Sequence, residues 1–348
     1  MTIILLPIGY RLRSALTTRC ISSHVLTSFQ KLNKQSMEMS SQRPSARFVS
    51  GDAPSLSDRD VNRTKEIKYA FQPPPIPSIP ILSSAVGSAV SRYPIRRIFC
   101  VGRNYADHAR EMGGDPEREP PFFFLKPATT SYIDASNASD NVASVPYPQS
   151  TTNLHFEGEF FVALGGHPSL RGDNGFRDVS PDVSSSLIYG VGVACDLTRR
   201  DHQAAAKAAR RPWCSSKGFD GSCPMGALIP LADAGRVFTL ATSGNSDAAS
   251  VLQLKTVVNG ILQQSAPLSE MVWDIPHVLS HLSKQYGLRE GDVVLTGTPA
   301  GVGPLEVGDS VDIRVVDKHE ATAKSDFTTV LAPDAIPICK FFIKSNLN

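Results

Sequence analysis

The stretch LHFEGEFFVALGG, from Leu154 to Gly166, constrains the fold most, because it places two acids at the start of an apolar run. Successive side chains of a strand point to opposite faces, so Glu157 and Glu159 share one face, together with His155. The FFVAL segment that follows is apolar on both faces, which is typical of a strand buried on both sides. Two carboxylates entering such an interior repel each other and lose hydration unless a cation lies between them. The alternative is a half-buried strand with a solvated polar face.

The distribution of charge separates the first fifty residues from the rest of the chain. Residues 1–50 carry seven Lys or Arg and one acidic residue, a net charge of +6, whereas the remaining residues carry a net charge of −4. The mildly acidic body has no basic stripe, which argues against a nucleic-acid partner. The basic, Ser-rich leader predicts a mitochondrial transit peptide, and a cytoplasmic protein otherwise. A gene model that begins too early, with translation from Met37 or Met39, is the alternative.

Composition and periodicity predict one folded body behind this leader. Residues 51–92 form a Pro-rich N-terminal extension in which PPPIPSIP favours extended backbone, and residues 93–345 form the folded domain. The sequence contains no apolar run of eighteen residues, so we expect no membrane span. Six scattered cysteines without a C-x-x-C pair argue against a zinc ribbon and a disulfide scaffold. Short apolar strands, glycine-rich turns and few helices predict a β-rich α+β fold with peripheral helices.

Several elements can be placed along the chain. We predict strands at 97–102, 121–125, 154–164 and 186–198, and a hairpin in which the Asn-Gly pair at 259–260 joins the strand 252–258 to ILQQ. Helices are predicted at 104–113 with Asn104 as the cap, at 198–211, and at 269–288 with Ser269 as the cap and a kink or break at Pro276.

A third acid joins the two glutamates as a candidate metal ligand. Asp196, in ACDLTRRD, lies at the end of an apolar strand and just before a helix. Three hard oxygen ligands without clustered Cys or His favour Mg²⁺, Ca²⁺ or Mn²⁺ over zinc. An ion held by three carboxylates keeps positions for substrate oxygens and acts as a Lewis acid. A helix N-cap is the alternative role for Asp196.

Three further signals are individually weak. His108 and Glu111 are spaced i, i+3, so the carboxylate can orient the imidazole as a base for water, although a surface ion pair is the alternative. Lys217 lies among small residues and is a candidate oxyanion stabiliser or an ordinary surface lysine. The glycines of LTGTPAGVG, Leu295–Gly303, suit close approach to a ligand, but the segment lacks the Gly-Lys-Ser/Thr of a phosphate loop.

Taken in order, these motifs resemble one family. CVGRNYADHAREMG, FLKPA, NLHFEGE, VACDLTRRD, SSKGFD and LTGTPAGVG are similar to successive motifs of the fumarylacetoacetate hydrolase family, from about residue 95 to residue 330. Within it, the sequence resembles the fumarylpyruvate hydrolase branch most, with the acylpyruvase and oxaloacetate decarboxylase branch next. The resemblance implies a mixed β-roll, a homodimer, and Mg²⁺ or Mn²⁺ as cofactor.

The resemblance also implies roles for individual residues. Glu157, Glu159 and Asp196 would be the metal ligands, and His108 with Glu111 would activate water. Lys217 and Gln203 would stabilise the oxyanion, and Arg103, Lys126 and Thr298 would contact the substrate.

The activity implied is metal-dependent hydrolysis of a carbon–carbon bond in a 2,4-dioxo acid, such as fumarylpyruvate or another acylpyruvate, with release of pyruvate. Oxaloacetate decarboxylation or tautomerisation on the same site is the alternative, and a non-catalytic metabolite-binding module is an alternative of another class. Two departures from the family pattern are Phe156, where a second His is common, and Gly158, where an aliphatic residue is usual. Both lie on the strand face away from the acids, so we expect altered packing and preserved ligation.

Overall fold

The computed structural model of the protein describes residues 69–82, 91–113, 120–136, 142–166, 175–318 and 338–346. The predicted leader and most of the predicted extension lie outside these residues. The strands are β1 Ser78–Pro80, β2 Arg92–Pro94, β3 Arg97–Gly102, β4 Phe122–Lys126, β5 Tyr132–Asp134, β6 Ala143–Pro146, β7 Leu154–Phe156, β8 Gly158–Leu164, β9 Ile188–Cys195, β10 Thr198–Arg199, β11 Cys223–Met225, β12 Ile229–Pro230, β13 Leu252–Val258, β14 Ile261–Pro267, β15 Asp292–Leu295, β16 Gly303–Leu305, β17 Ser310–Asp317 and β18 Ile338–Lys344.

The helices are short and lie between the strands. They are α1 Ala106–Glu111, α2 Ala128–Ser131, α3 Pro181–Ser184, α4 Arg200–Ala208, α5 Cys214–Lys217, α6 Arg236–Thr242, α7 Ser246–Val251 and α8 Ile275–Gln285, with single 3₁₀ turns at Ser185–Leu187 and Leu268–Glu270. Among the described helices, none has the length and apolar content needed to cross a bilayer.

Two large mixed sheets form the body of the fold. One has the strand order β4-β3-β15-β8-β9-β11-β5, with β12 also paired to β9, and the other has the order β14-β13-β17-β18-β6. Most pairs are antiparallel, whereas β3–β15, β5–β11 and β6–β18 are parallel. A three-stranded sheet, β10-β7-β16, lies at the point where the chain enters β8. The mixed sheets with peripheral helices confirm the predicted α+β fold.

Strand β8 is buried on both faces, as its sequence predicted. Phe160, Val162 and Leu164 belong to the large core cluster that also contains side chains from β13, β17 and α8. Phe161 and Ala163 point the other way, into a second cluster. The alternative of a half-buried strand is therefore wrong for this segment, and the chain places the two acids at the edge of a fully apolar layer.

The second core cluster includes a residue of the Pro-rich extension. Strand β1 pairs with β2 in antiparallel register, Ile79 opposite Tyr93, and Ile79 is fully buried. Ile81 forms a bridge with Leu228. The extended backbone that the prolines favour thus covers one face of the eight-stranded sheet.

The predicted single strand at 154–164 is broken at Glu157. Residues 154–156 belong to the three-stranded sheet, whereas residues 158–164 belong to the eight-stranded sheet. After the break, Gly158 pairs with Cys195 of β9, and its amide donates to the side-chain oxygen of Gln264 at 3.0 Å. The prediction of one continuous strand was therefore wrong, although both glutamates still face the same side.

Two predicted helix caps are wrong. The Asn104 side chain does not cap α1; its amide nitrogen donates to the carbonyls of Trp273, at 2.9 Å, and Thr296, at 2.8 Å. Helix α8 begins at Ile275 with Asp274 as its cap, so Pro276 lies in the first turn, where its missing N–H costs nothing. The hairpin prediction is confirmed: Asn259 and Gly260 both have positive φ between β13 and β14.

Candidate active site

Three strand ends bring the predicted acids together. Glu157 lies between β7 and β8, Glu159 is the second residue of β8, and Asp196 follows β9, the neighbour of β8. One carboxylate oxygen from each lies within 4.8 Å of the others, and all three residues are buried. The Asp196 amide also donates to the Glu157 carbonyl at 2.8 Å, which fixes the two backbones side by side. Arg199 occupies the N-cap position of α4, where no side chain caps the helix, so the alternative role of Asp196 as its cap is wrong.

Two buried lysines hold Asp196. The Lys217 ammonium donates to Asp196 Oδ2 at 2.6 Å, to Glu157 Oε2 at 2.7 Å and to Thr198 Oγ1 at 2.7 Å. Lys126 Nζ forms an ion pair with Asp196 Oδ1 at 2.7 Å. Lys217 has a side chain only 3% exposed, so the alternative of an ordinary surface lysine is wrong. Lys126 lies behind Asp196, a position suited to holding that carboxylate, and its predicted contact with substrate stays a prediction.

Arg200 and Gln203 extend the network on the first turn of α4. An Arg200 guanidinium nitrogen donates to Glu157 Oε1 at 2.6 Å, and another donates to Gln203 Oε1 at 2.7 Å. The amide group of Gln203 is thereby oriented with its oxygen toward Arg200. The sequence analysis missed Arg200, because an arginine in the run RRD carries no local sign that it turns inward.

The charges of the three acids are compensated unequally. Burial alone would raise the pKa of Glu157, but Lys217 and Arg200 outweigh it and hold that pKa well below its ordinary value. Burial also opposes the charge of Lys217, yet Asp196 and Glu157 raise the pKa of Lys217 above its ordinary value. For Glu159, burial and the negative charges of Asp196 and Glu157 raise the pKa well above the ordinary value. Glu159 is therefore the carboxylate that most needs a further cation.

The donor set fits a divalent cation. Glu159 Oε2 accepts a hydrogen bond from the Gly297 amide at 2.7 Å, which fixes its orientation toward Glu157 and Asp196. Three close, buried carboxylates with one undercompensated charge are suited to a hard cation that prefers oxygen ligands. Glu157, Glu159 and Asp196 are the residues that would hold it.

His108 and Glu111 form the predicted dyad on α1. His108 Nδ1 lies 3.3 Å from Glu111 Oε2, the imidazole is buried, and the glutamate side chain is 39% exposed. Burial lowers the pKa of His108 below its ordinary value, although Glu157 and Glu111 act in the opposite direction. A neutral imidazole whose Nδ1–H donates to the carboxylate keeps Nε2 as the proton acceptor. The buried histidine makes the alternative of a surface ion pair wrong.

A narrow cleft of about 30 Å³, open to solvent, lies between His108 of the dyad and the acids. Its walls include eight of the ten predicted site residues: Arg103, His108, Glu157, Glu159, Asp196, Gln203, Lys217 and Thr298. Arg103 enters the wall with φ of 57°, a left-handed conformation that costs a non-glycine residue on the order of 1 kcal/mol. Such local strain is frequent at ligand-binding positions.

The floor near Gly158 depends on residues that the sequence analysis did not single out. The buried Gln264 amide accepts from the Gly158 amide and donates to Thr298 Oγ1 and the Pro299 carbonyl, each at 2.8 Å. Thr298 in turn donates to the Gly158 carbonyl at 2.8 Å. The hairpin β13–β14 thereby supports the cleft from below. The only sequence signal for this role of Gln264 is the alternation of inward and outward side chains along β14, which places Gln264 inward.

Gly158 is required by the side chain opposite it, which supplies a stability prediction. A Cβ on Gly158 would lie 2.0 Å from Thr256 Oγ1. We expect Gly158→Ala to lower the free energy of unfolding by about 1–3 kcal/mol, because the site has no room for a methyl group. Urea unfolding measures this loss. In a Thr256→Ala background the loss should shrink, whereas Thr256→Val, which keeps the volume, should give no relief; equal losses in all three backgrounds would contradict the steric explanation.

The remaining residues of the opening motif lie in contrasting surroundings. Phe156 is buried in the large core cluster, on the side away from the acids. His155 is half-buried between Thr198 and Pro304 of the flanking strands. Burial and the positive charge of Arg200 lower the pKa of His155 to about 4. In the described part of the chain its Nδ1 has no hydrogen-bond partner, and it is not one of the residues that line the cleft.

Known proteins are similar to most of the described part of the chain. Residues 97–330 match the family model for the fumarylacetoacetate (FAA) hydrolase C-terminal domain. The structure of fumarylpyruvate hydrolase from Pseudomonas aeruginosa in complex with Mn²⁺ and pyruvate is similar with a TM-score of 0.63 and 30% identity, covering 80% of this chain and 100% of that chain.

Two relatives named as oxaloacetate tautomerases are also similar to this chain in sequence. An oxaloacetate tautomerase of Escherichia coli is 35% identical over 236 residues, 68% of this chain and 95% of that protein. The mitochondrial oxaloacetate tautomerase of Bos taurus is 37% identical over 220 residues, 63% of this chain and 87% of that protein. The match to the family model spans well over half of the chain and includes the acidic triad and the dyad, and the chain therefore belongs to the fumarylacetoacetate hydrolase family.

Proposed function

We propose that this protein hydrolyses a carbon–carbon bond in a 2,4-dioxo acid, fumarylpyruvate or another acylpyruvate, and releases pyruvate. The observation that carries the proposal is the cleft in which a buried, neutral His108, oriented by Glu111, lies with three buried acids. A base of this kind is what the attack of water on a carbonyl needs. The similarity to a fumarylpyruvate hydrolase that binds Mn²⁺ and pyruvate supports the choice of substrate.

The residues of the chain supply the proton transfers. His108 Nε2 takes a proton from water as the water oxygen attacks the 4-carbonyl carbon, and Glu111 stabilises the imidazolium that forms. The carbon–carbon bond between positions 3 and 4 then breaks, pyruvate leaves as its enolate, and the acyl group leaves as a carboxylic acid that loses the second proton of the water to solvent. The proton on Nε2 returns to carbon 3 of that enolate. Glu157, Glu159 and Asp196 would hold a divalent ion, which would supply Lewis acidity toward the substrate oxygens.

The oxyanion at the 4-carbonyl is stabilised from the α4 side of the cleft. Gln203 accepts from Arg200 through its oxygen, which leaves the N–H groups of its amide to donate to an oxyanion. All three donors of the Lys217 ammonium are engaged by Glu157, Asp196 and Thr198, so Lys217 contributes its positive charge in this arrangement. In other enzymes, one hydrogen-bond donor to an oxyanion stabilises the transition state by about 2.7–4 kcal/mol.

Oxaloacetate tautomerisation or decarboxylation is the second candidate, and the two tautomerase relatives favour it. Both reactions pass through an enol or enolate of a 2-oxo acid, which the same cationic site would stabilise. Tautomerisation also needs a base, one that removes a proton from carbon 3, so the His108–Glu111 pair could serve either reaction. We put hydrolysis first because of the similarity to a fumarylpyruvate hydrolase whose structure contains Mn²⁺ and pyruvate.

Three further assignments complete the proposal. Mg²⁺ is the proposed ion, with Mn²⁺ or Ca²⁺ as substitutes, because all three ligands are hard oxygens. The proposed assembly is a homodimer, as the family resemblance implies. Mitochondrial localisation is supported by the basic leader and by the mitochondrial relative.

A substrate panel tests the proposed function. Purified protein with Mg²⁺ is incubated with fumarylpyruvate, acetylpyruvate and oxaloacetate, and loss of the enol absorbance is followed together with the products formed. We expect pyruvate and the matching carboxylate in equal amounts from the dioxo acids. Turnover of oxaloacetate alone would replace hydrolysis by the second candidate, and no turnover of any of the three would favour a non-catalytic binding module.

A further inference from the structure

Lys207 lies in the cleft wall but outside the network around the acids. It follows Gln203 by four residues on α4, so it lies on the same helix face, about 6 Å further along the axis. Lys207 and Gln203 both line the cleft. Gln203 is buried beside Arg200, whereas Lys207 is only half-buried. Lys207 therefore lies one helical turn beyond the first turn of α4. That first turn carries Arg200, which donates to Glu157 and to Gln203.

The surroundings of Lys207 are cationic and aromatic. Its Nζ lies 5.6 Å from the centre of the Trp213 ring, and Arg103 and Arg200 line the same cleft. Burial, Arg103 and Arg200 lower the pKa of Lys207 below its ordinary value, although Glu157 acts in the opposite direction. Among the described residues no carboxylate forms an ion pair with Lys207. An ammonium group near two guanidinium groups and without an ion-pair partner of its own would be stabilised by a further anion.

A fumaryl group would supply such an anion. In fumarylpyruvate the trans double bond carries a second carboxylate away from the 4-carbonyl along an extended chain. When the 4-carbonyl lies beside Gln203, that carboxylate extends toward the next turn of α4. Acetylpyruvate ends in a methyl group and offers nothing for an ammonium to bind.

We propose that Lys207 binds the distal carboxylate of the acyl group and so makes the cleft selective for dicarboxylic 2,4-dioxo acids. This inference rests on the proposed hydrolysis and names the class of acyl group that the same site takes. The Trp213 ring lies beside the lysine ammonium, and the positive charge of Arg103 adds to the field at the carboxylate. Lys207 is a specificity residue in this role, since it contacts the substrate away from the reacting carbon.

The test compares Lys207→Met with wild type on fumarylpyruvate and acetylpyruvate. We expect the ratio of the two kcat/KM values, fumarylpyruvate over acetylpyruvate, to fall about tenfold or more, because a hydrogen-bonded ion pair is lost for one substrate only. Lys207→Arg should restore most of the ratio. Inhibition by the product fumarate, read as its inhibition constant, should weaken by a similar factor in Lys207→Met. Lys284→Met, which removes an exposed lysine of α8, is the matched charge control and should leave the ratio unchanged.

The outcomes separate this inference from the proposed function. Equal losses on both substrates, or an unchanged ratio and unchanged fumarate inhibition, would overturn the role of Lys207 while hydrolysis itself stands. No hydrolysis of either dioxo acid by wild type would overturn the proposed function, and this inference with it. A ratio that falls to the same extent in Lys284→Met would also overturn it, because a general charge effect would then account for the change.

Discussion

His108→Ala is expected to lower turnover of the dioxo acid by two orders of magnitude or more, which is the contribution of a general base in other enzymes. His108 is buried, its Nδ1 lies 3.3 Å from Glu111, and its pKa is lowered so that the ring is neutral at pH 7. Alanine removes the proton acceptor without touching the three acids. Steady-state kinetics with saturating Mg²⁺ measures the effect as a loss in kcat.

Two controls make this result specific to the dyad. His277→Ala removes an exposed histidine from the first turn of α8, and we expect wild-type kcat because the Asp274 side chain still caps the helix through the backbone amide. Affinity for the divalent ion should be unchanged in His108→Ala. Near-wild-type hydrolysis by His108→Ala would remove the dyad from the mechanism.

Asp196→Asn is expected to have the largest effect on stability. Asp196 forms ion pairs with Lys126 at 2.7 Å and with Lys217 at 2.6 Å. Each of these three side chains is at most 3% exposed. An amide in its place leaves two buried ammonium groups short of negative charge. Breaking a buried pair in this way costs about 3–5 kcal/mol, and we expect a loss of that size in the free energy of unfolding.

Urea unfolding of the metal-free protein measures this loss without the contribution of a bound ion. Asp107→Asn is the matched control, because Asp107 forms an exposed ion pair with Arg110 at 2.6 Å. Exposed pairs are worth about 0–1 kcal/mol, so this variant should unfold almost as wild type does. A loss below about 1 kcal/mol in Asp196→Asn would contradict a charge network that depends on Asp196.

Much of the site could be predicted from sequence because its residues come from short, ordered motifs. The alternation of a strand placed Glu157 and Glu159 on one face, and the apolar FFVAL run indicated burial on both sides. The i, i+3 spacing brought His108 to Glu111. Both relations depend only on the regular geometry of a single strand or helix, so the spacing of residues in the sequence is enough to predict them.

The features that were missed depend on contacts between distant segments. At the break of the strand, the Gly158 amide donates to the side chain of Gln264, more than a hundred residues away. Asn104 was predicted to cap a helix, but its side-chain amide donates hydrogen bonds to the carbonyls of Trp273 and Thr296. Arg200 turns inward because Glu157 is there to bind it. No local pattern contains such pairings.

Binding of the divalent ion by the acidic triad is the central claim, and Glu159→Gln tests it most directly. Glu159 has no ion pair with a described lysine or arginine, so its replacement disturbs the network least, and its carboxylate is the one that most needs a cation. Protein stripped with a chelator is titrated with Mn²⁺, and heat of binding and turnover of fumarylpyruvate are both recorded. We predict one ion per chain, no turnover before it is added, and at least about a tenfold loss of affinity in Glu159→Gln. Full turnover in the presence of chelator, or unchanged affinity in Glu159→Gln, would contradict the metal site.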